Sequence, residues 1–294
     1  MSGRKYSIGA AEFDAPSLQP GLYAVATPIG NLGDITVRAL MTLSAADLIL
    51  CEDTRTTSKL LQRYAIKTKL SPYHEHNAEK VRPGILGRLK DGAAMALVSD
   101  AGMPLVSDPG YRLLGEAASL GIAVTVCPGP SAVLTALALS GLPTDRFSFF
   151  GFMPAKKSAR ERLFAEIAKL HSTLIFFDSP HRIVASLRDI ETSLPGRTVA
   201  VARELTKLYE EVLRGTPGEV RTALEARASI KGEITLIVSG PSGHEPATEE
   251  TIEAEITSAL KTLSPSQAAA HVARILELPK GDVYARIIKS RDSA

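Results

Sequence analysis

Residues 21–51 read GLYAVATPIGNLGDITVRALMTLSAADLILC, and this stretch decides the fold class. A short apolar run (21–27) leads into a polar loop (27–34), a helical pattern (34–46) and a second apolar run (47–51). Such alternation is typical of parallel strands joined by crossover helices. The run LILC is apolar on both faces, which predicts a strand covered by helices on each side. The stretch therefore predicts an α/β domain built on a parallel sheet.

The alternation continues along the chain and then changes in character. Apolar runs at 94–99 and 122–128 extend the parallel sheet, whereas strand-like segments dominate after residue 140 and predict a second α/β domain with a mixed sheet and helices on one face. PSGHEPATEE (241–250) predicts a linker, followed by a helix-turn-helix-like appendage that could either recognise nucleic acid or simply pack. We thus predict a flexible lead over 1–20, an N-terminal α/β domain over 21–139, a second α/β domain over 140–242, and a linker with a helical C-terminal domain over 243–294.

The composition of the chain limits the kinds of partner that it can bind. The chain has 294 residues, 45% hydrophobic, and a net charge of only +2, so any contact with nucleic acid is expected to be local. Basic clusters at 156–162 and 261–291 are candidates, although each is also typical of a solvated helix face. Cys51 and Cys127 lie in apolar runs, which predicts buried thiols in a reducing compartment. No apolar run approaches the roughly 18 residues that span a bilayer. We expect a cytoplasmic protein with neither membrane nor DNA as partner.

Three loops, each after a predicted strand, are dense in residues that shape the backbone. They are 27–34 (TPIGNLGD), 99–110 (SDAGMPLVSDPG) and 128–132 (PGPSA). Ligands of open parallel sheets bind outside the carboxyl ends of the strands, so the loops are expected to meet at one crevice. There Asp100 could accept hydrogen bonds from a ribose or an ammonium group. Three ordinary turns are the alternative. The sequence has no dinucleotide or nucleoside-triphosphate glycine motif and no metal-ligand spacing, so we predict no metal site.

Five segments together resemble the tetrapyrrole-methylase superfamily, and within it the ribosomal small subunit methyltransferase I family. They are VATPIGNLGDITVRAL (25–40), CEDTRTTSKLL (51–61), SDAGMPLVSDPG (99–110), CPGPSAVLTALALSGLPTDRFSFFGFMP (127–154) and ARELTKLYEE (202–211). The resemblance runs from about residue 21 to 240, and the helical tail looks like the C-terminal domain of many members. It implies a two-domain tetrapyrrole-methylase-like fold with a helical appendage. It also implies 2'-O-ribose methylation of a cytidine in 16S rRNA of the small ribosomal subunit, and a homodimer.

The resemblance further implies that S-adenosylmethionine binds in the cleft between the two α/β domains. Its expected neighbours, carried over position by position, are Pro28, Ile29, Gly30, Asp100, Ala101, Gly102, Met103, Ser131, Ala132, Phe176, Phe177, Glu233 and Ile234. The last four come from the second domain.

Methyl transfer to a ribose hydroxyl requires an in-line oxygen and help in removing its proton. Polar residues that follow strands at the same end of the sheet are candidates. We predict His74 as base, Asp53 as the residue that orients it, and Arg203 as a phosphate contact, although no spacing rule compels this choice. The expected substrate contacts are Arg55, Lys156, Lys157 and Arg160.

Two other functions stay open from the sequence. One is a methyltransferase of the same fold that acts on a tetrapyrrole or another small molecule. The other is a non-catalytic RNA-binding factor in ribosome assembly that keeps a cofactor pocket. The intact glycines and prolines of the three loops favour an active enzyme, and the helical tail and basic clusters favour RNA as the acceptor.

Overall fold

A computed structural model describes residues 4–104, 110–241, 249–276 and 278–292. Residues 105–109 of the second loop lie outside the described residues, as do 242–248 of the predicted linker. The chain forms two compact units, Met1–Gly240 and Pro241–Ala294, whose division lies close to the predicted boundary at 242/243. No helix in the described part of the chain is long and apolar enough to cross a membrane.

The N-terminus forms a β-hairpin, where the sequence analysis predicted a flexible lead over residues 1–20. Strands β1 (Lys5–Ile8) and β2 (Ala11–Asp14) pair antiparallel around a two-residue turn that begins at Gly9, whose φ is +62°. Tyr6 is 4% exposed, packs in the core of the first sheet and stacks on Phe13. The prediction was wrong because the hairpin buries this aromatic ring. A glycine in a two-residue loop between alternating segments is a hairpin signal in the sequence.

The first sheet is all parallel, as the sequence predicted. Its strands are β3 (Gly21–Val25), β4 (Leu48–Cys51), β5 (Leu70–Pro72), β6 (Ala94–Val98) and β7 (Val124–Cys127), in the order β5-β4-β6-β3-β7. The helices are α1 (Val37–Ala45), α2 (Thr54–Arg63), α3 (Glu75–Lys90) and α4 (Tyr111–Ser119). Neighbouring residues of β4 enter opposite cores: Ile49 packs with α1 and α2, and Leu50 packs with α3 and α4. Helices therefore cover both faces of this sheet.

The second sheet is mixed, also as predicted. After α5 (Ala132–Ser140) come β8 (Phe147–Phe152), α6 (Lys157–Ile167), β9 (Thr173–Asp178), α7 (Ile183–Ser193), β10 (Val199–Arg203), β11 (Glu211–Gly215), α8 (Pro217–Glu225) and β12 (Ile234–Val238). The strand order is β11-β10-β12-β9-β8, with only β8 and β9 parallel. Helices α6, α7 and α8 cover one face, and α5 packs on the other through Ala136 and Leu137. This contact of α5 joins the two α/β parts.

In its described part, the C-terminal unit contains three helices, α9 (Glu249–Leu260), α10 (Pro265–Leu276) and α11 (Lys280–Asp292). Their apolar faces form one core that includes Ile252, Val272 and Ile287. Helix α10 begins at Pro265, and the carbonyl of Ser264 accepts the first backbone hydrogen bond of the helix, from the N–H of Ala268. Helix α11 begins at Lys280, directly after Pro279.

Candidate active site

A cavity of about 260 Å³ lies at the carboxyl ends of β3, β4 and β6, between the first sheet and the second. Its lining residues are Ile29, Glu52, Ser99, Asp100, Ala101, Gly102, Met103, Ser131, Ala132, Val133, Phe152, Phe177, Asp178, Ala202, Leu205, Glu233, Ile234 and Thr235. The three glycine- and proline-rich loops all contribute to it, as expected of loops that leave one edge of a parallel sheet.

Backbone hydrogen bonds hold the first two loops together. Thr27 and Gly102 exchange N–H···O bonds of 2.9 and 3.0 Å, and the Thr27 hydroxyl donates to the Ser99 carbonyl at 3.1 Å. Gly102 has a φ of +79°, a conformation that residues with a Cβ rarely adopt. In the third loop, Ser131 caps α5 by accepting the backbone N–H of Leu134 at 3.4 Å. The first two loops are therefore bonded to each other, and the third is fixed at the start of α5.

The opposite wall includes a turn, residues 204–210, that we call the clasp because it bridges the two α/β parts. The Thr206 hydroxyl accepts the backbone N–H of Asn31 at 3.1 Å. The Lys207 ammonium donates to Glu204 at 2.8 Å and to Glu233 at 3.0 Å. A Cβ on Gly30 would lie 2.5 Å from Cγ of Lys207, so glycine is required where the clasp meets the first loop. The clasp thereby places Leu205 against the cavity.

The structure brings most of the predicted cofactor neighbours to this cavity. Those that line it are Ile29, Asp100, Ala101, Gly102, Met103, Ser131, Ala132, Phe177, Glu233 and Ile234. Pro28 and Gly30 do not line it, and Gly30 packs against the clasp instead. The prediction of Phe176 as a cofactor neighbour was wrong. Phe176 is fully buried on the helix-covered face of the second sheet, against Phe150 and Phe164. Side chains alternate along a strand, so Phe176 and Phe177 cannot both face one cavity.

The three predicted catalytic residues lie outside the cavity lining. His74 is the N-cap residue of α3, and its Nδ1 is buried without a hydrogen-bond partner among the described residues. Asp53 caps α2, and the Arg55 guanidinium beside it lowers the pKa of Asp53 to about 2. Arg203 is engaged by Glu211 at 3.2 Å and by the carbonyl of Lys231 at 3.1 Å. Asp53 nevertheless touches the site, because its backbone N–H donates to the Asp100 carboxylate at 3.0 Å.

One predicted substrate contact is a structural residue. Arg160 forms a buried ion pair with Asp189, with Nη2 2.6 Å from Oδ2, and its Nη1 donates to the carbonyls of Pro154 and Ala155. It lies on the inner face of α6 and cannot reach RNA. Lys156 and Lys157 are exposed at the start of this helix. The Arg55 side chain is 87% exposed beside Asp53.

Several lining residues were not among the predicted cofactor neighbours. Glu52 follows strand β4, and Asp178 is the last residue of β9. Their position at strand ends was the signal that the sequence offered. Partial desolvation at the cavity, and next the nearby Asp100 carboxylate, raise the pKa of Glu52, whereas His74 lowers it. Phe152 carried no sequence signal, because it reaches the cavity through a break in the strand register.

The residues at the cavity fit S-adenosylmethionine. Ile29, Val133 and Phe177 offer apolar surface to an adenine ring and a methionine chain. Acidic residues and no lysine or arginine occur in the lining that the structure describes, a balance that suits the positive sulfonium and ammonium groups. At Gly102 a bound group could approach the backbone closely, since no side chain intervenes.

Comparisons with known proteins agree with this architecture. Residues 21–221 match the family Tetrapyrrole (Corrin/Porphyrin) Methylases, and residues 245–291 match the RsmI C-terminal HTH domain. Ribosomal RNA small subunit methyltransferase I of Mesorhizobium japonicum is 44% identical over 288 residues, which cover 98% of each chain. The protein of the same name from Vibrio cholerae is 47% identical over 274 residues, 92% of this chain and 94% of that one.

Solved structures show the same fold. Uroporphyrin-III-C-methyltransferase from Thermus thermophilus has a TM-score of 0.53 at 18% identity, over 75% of this chain and 94% of that chain. A diphthine synthase has a TM-score of 0.58 at 13% identity, over 74% of this chain and 89% of that chain. Fold and cavity thus define a methyltransferase of the tetrapyrrole methylase class, whose methyl donor is S-adenosylmethionine. The chain belongs to this class and, within it, to the ribosomal RNA small subunit methyltransferase I family.

Proposed function

We propose that this enzyme transfers a methyl group from S-adenosylmethionine to the ribose 2'-hydroxyl of a cytidine in 16S rRNA of the small ribosomal subunit. The observation that carries the proposal is the match to relatives named ribosomal RNA small subunit methyltransferase I along almost the whole chain, C-terminal unit included. We further propose that the enzyme is a cytoplasmic homodimer, and that Lys156, Lys157 and Arg55, which are exposed, contact the RNA.

The cofactor, when bound, supplies an electrophilic methyl group on a positive sulfur. We propose that Asp100, Gly102 and Ser131 hold it on the first sheet, and that Phe177 and Ile234 hold it on the second. The remaining work of the chain is to orient the acceptor hydroxyl and to receive its proton. Positioning of this kind supplies several kcal/mol of a barrier, and a general base adds about 10²- to 10⁴-fold.

We propose Glu52 as the proton acceptor, because Glu52 lines the cavity and interacts with the charge of Asp100, whereas His74 does not line the cavity. The pKa of Glu52 is raised by partial desolvation, toward the pH at which a general base works best. Asp53 would hold Asp100 in place, because its backbone N–H donates to the Asp100 carboxylate. The Arg55 guanidinium keeps the pKa of Asp53 low, so the Asp53 carboxylate stays ionised. From the sequence, His74 as base and Arg203 as phosphate contact stay predictions. Variants of these two residues test them.

Transfer of labelled methyl from S-adenosylmethionine tests the function. The acceptors are small subunits lacking the modification, free 16S rRNA and a porphyrinoid, and the variants are Asp100→Ala and Asp91→Ala, the latter an exposed control at the end of α3. We expect 2'-O-methylcytidine in 16S rRNA with the wild type and with Asp91→Ala, and its loss with Asp100→Ala. Methylation of the porphyrinoid alone would assign a small-molecule acceptor. Cofactor binding without transfer to any acceptor would favour the assembly factor.

A further inference from the structure

Phe152 is an aromatic side chain left in solvent at the mouth of the cavity. It is 62% exposed and lines the cavity, whereas Phe176 and Phe164 on the other face of the sheet are fully buried. Scattered exposed apolar residues are ordinary, but this one stands at the entrance to the site.

A β-bulge turns Phe152 toward the cavity. Along β8 and β9, Phe149 pairs with Ile175 and Phe152 pairs with Phe177, so β8 contains one extra residue between the two pairs. Gly151, in this interval, has a φ of +69°. Strict alternation would put Phe152 on the same face as Phe150, which stacks on buried Phe176. Bulges re-aim side chains in this way, and they are common next to active sites.

The ring of Phe152 is held in place by other aromatic rings. It meets Phe177 edge to face, with ring centroids 5.4 Å apart, and Phe177 in turn meets Phe149 at 4.9 Å. The backbone N–H of Met153 donates to the Phe177 carbonyl at 2.8 Å, which anchors the end of the bulge. Phe152 thus presents a pre-organised apolar face, and binding to it costs little ordering.

We propose that Phe152 is the platform on which the base of the target nucleotide stacks while its ribose enters the cavity. This inference rests on the proposed function. RNA-binding proteins commonly unstack a single-stranded base and stack it on an aromatic side chain. A phenyl ring has no polar atom, so Phe152 would hold the base without reading which base it is. Discrimination of cytidine would then come from other groups.

Steady-state kinetics with small subunits test the proposal. Phe152→Ala should raise the KM for small subunits about tenfold, as expected for the loss of one stacking contact. Its affinity for S-adenosylmethionine, measured by calorimetry, should equal that of the wild type. Phe152→Tyr should keep the wild-type KM, since tyrosine retains the aromatic ring. Phe147→Ala is the matched control, because Phe147 is 41% exposed on the same strand and does not line the cavity.

Fluorescence gives a second, direct readout. The chain has no tryptophan, so Phe152→Trp and Phe147→Trp each introduce a single one. Binding of a 16S rRNA fragment should quench the emission of Phe152→Trp and leave that of Phe147→Trp unchanged. RNA binding is followed separately by the anisotropy of the labelled fragment.

Three results would overturn the proposal. Unchanged emission of Phe152→Trp with RNA bound would exclude stacking. A loss of cofactor affinity in Phe152→Ala would assign the ring to the cofactor pocket. A change in the sedimentation coefficient of Phe152→Ala would assign the ring to contact with a second copy of the chain. Failure of the proposed function is distinguishable, since the wild type itself would then neither bind nor methylate 16S rRNA.

Discussion

Replacement of Arg160 by methionine should strongly destabilise the unit formed by residues 1–240. The side chains of Arg160 and Asp189 are 6% and 9% exposed, so the variant leaves a buried carboxylate unpaired. Breaking a buried ion pair by removing one partner costs about 3–5 kcal/mol. The carbonyls of Pro154 and Ala155 also lose their guanidinium donor. We therefore expect a loss of about 4 kcal/mol in the free energy of unfolding, and a fall in Tm of roughly 10 °C.

Urea and thermal unfolding of the full chain, followed by circular dichroism, measure this effect. The matched control is Lys157→Met on the same helix, because Lys157 is 69% exposed and lies 3.6 Å from Glu161. That exposed pair should contribute less than about 1 kcal/mol. The double variant Arg160→Met/Asp189→Leu should recover part of the loss, because it removes the uncompensated charge.

The two variants should separate folding from RNA contact. Lys157→Met should weaken binding of 16S rRNA and leave stability intact, whereas Arg160→Met should do the reverse at temperatures where it stays folded. If Arg160→Met lost less than about 1 kcal/mol of stability but weakened RNA binding, the ion pair would not have the structural role assigned to it.

Further predictions concern the glycines, the cap of α5 and the proton acceptor. Gly30→Ala should cost about 1–3 kcal/mol of stability and lower methyl transfer, because its Cβ would lie 2.9 Å from the Leu205 carbonyl; unfolding and activity assays check both. Gly87→Ala, inside α3, should stabilise by about 1 kcal/mol, because beyond the helix's own backbone nothing lies within 4 Å of the new Cβ; a urea midpoint that does not rise would contradict this. Ser131→Ala should lose about 1 kcal/mol with the cap of α5, measured by the same titration. A general base acts when ionised, so kcat should fall as the pH falls through the raised pKa of Glu52. Glu52→Gln should lower kcat about 100-fold and flatten that profile, and an unchanged profile would assign the proton to another group.

The sequence predicted the elements of the site that depend on backbone geometry. Strand ends of a parallel sheet meet at one edge, so the loops at 27–34, 99–104 and 128–132 could be brought together without coordinates. The alternation of apolar runs likewise predicted a parallel first sheet and a mixed second one. These features follow from local pattern and topology alone.

Features that depend on which face a side chain takes could not be predicted. Phe176 and Phe177 are chemically identical neighbours, and only the pairing of β9 decides which one meets the cavity. Arg160 belongs to a basic run, yet the position of Asp189 on α7 makes it a core residue. Arg203 finds its partner in Glu211, on the adjacent strand β11. Each case requires a long-range partner that no local pattern encodes.

The clasp shows how residues outside the cavity determine its shape. Glu204 and Thr206 have φ values of +50° and +63°, and such backbone costs on the order of 1–3 kcal/mol per residue unless its surroundings hold it. Here the Glu204 carboxylate accepts the backbone N–H of Glu233 at 3.0 Å, and Glu210 accepts that of Thr206 at 2.6 Å. These bonds compensate the strain and fix Leu205 against the site. Since the Thr206 hydroxyl of the clasp also accepts the backbone N–H of Asn31 in the first loop, this turn helps, together with α5, to set the spacing between the two walls of the cavity.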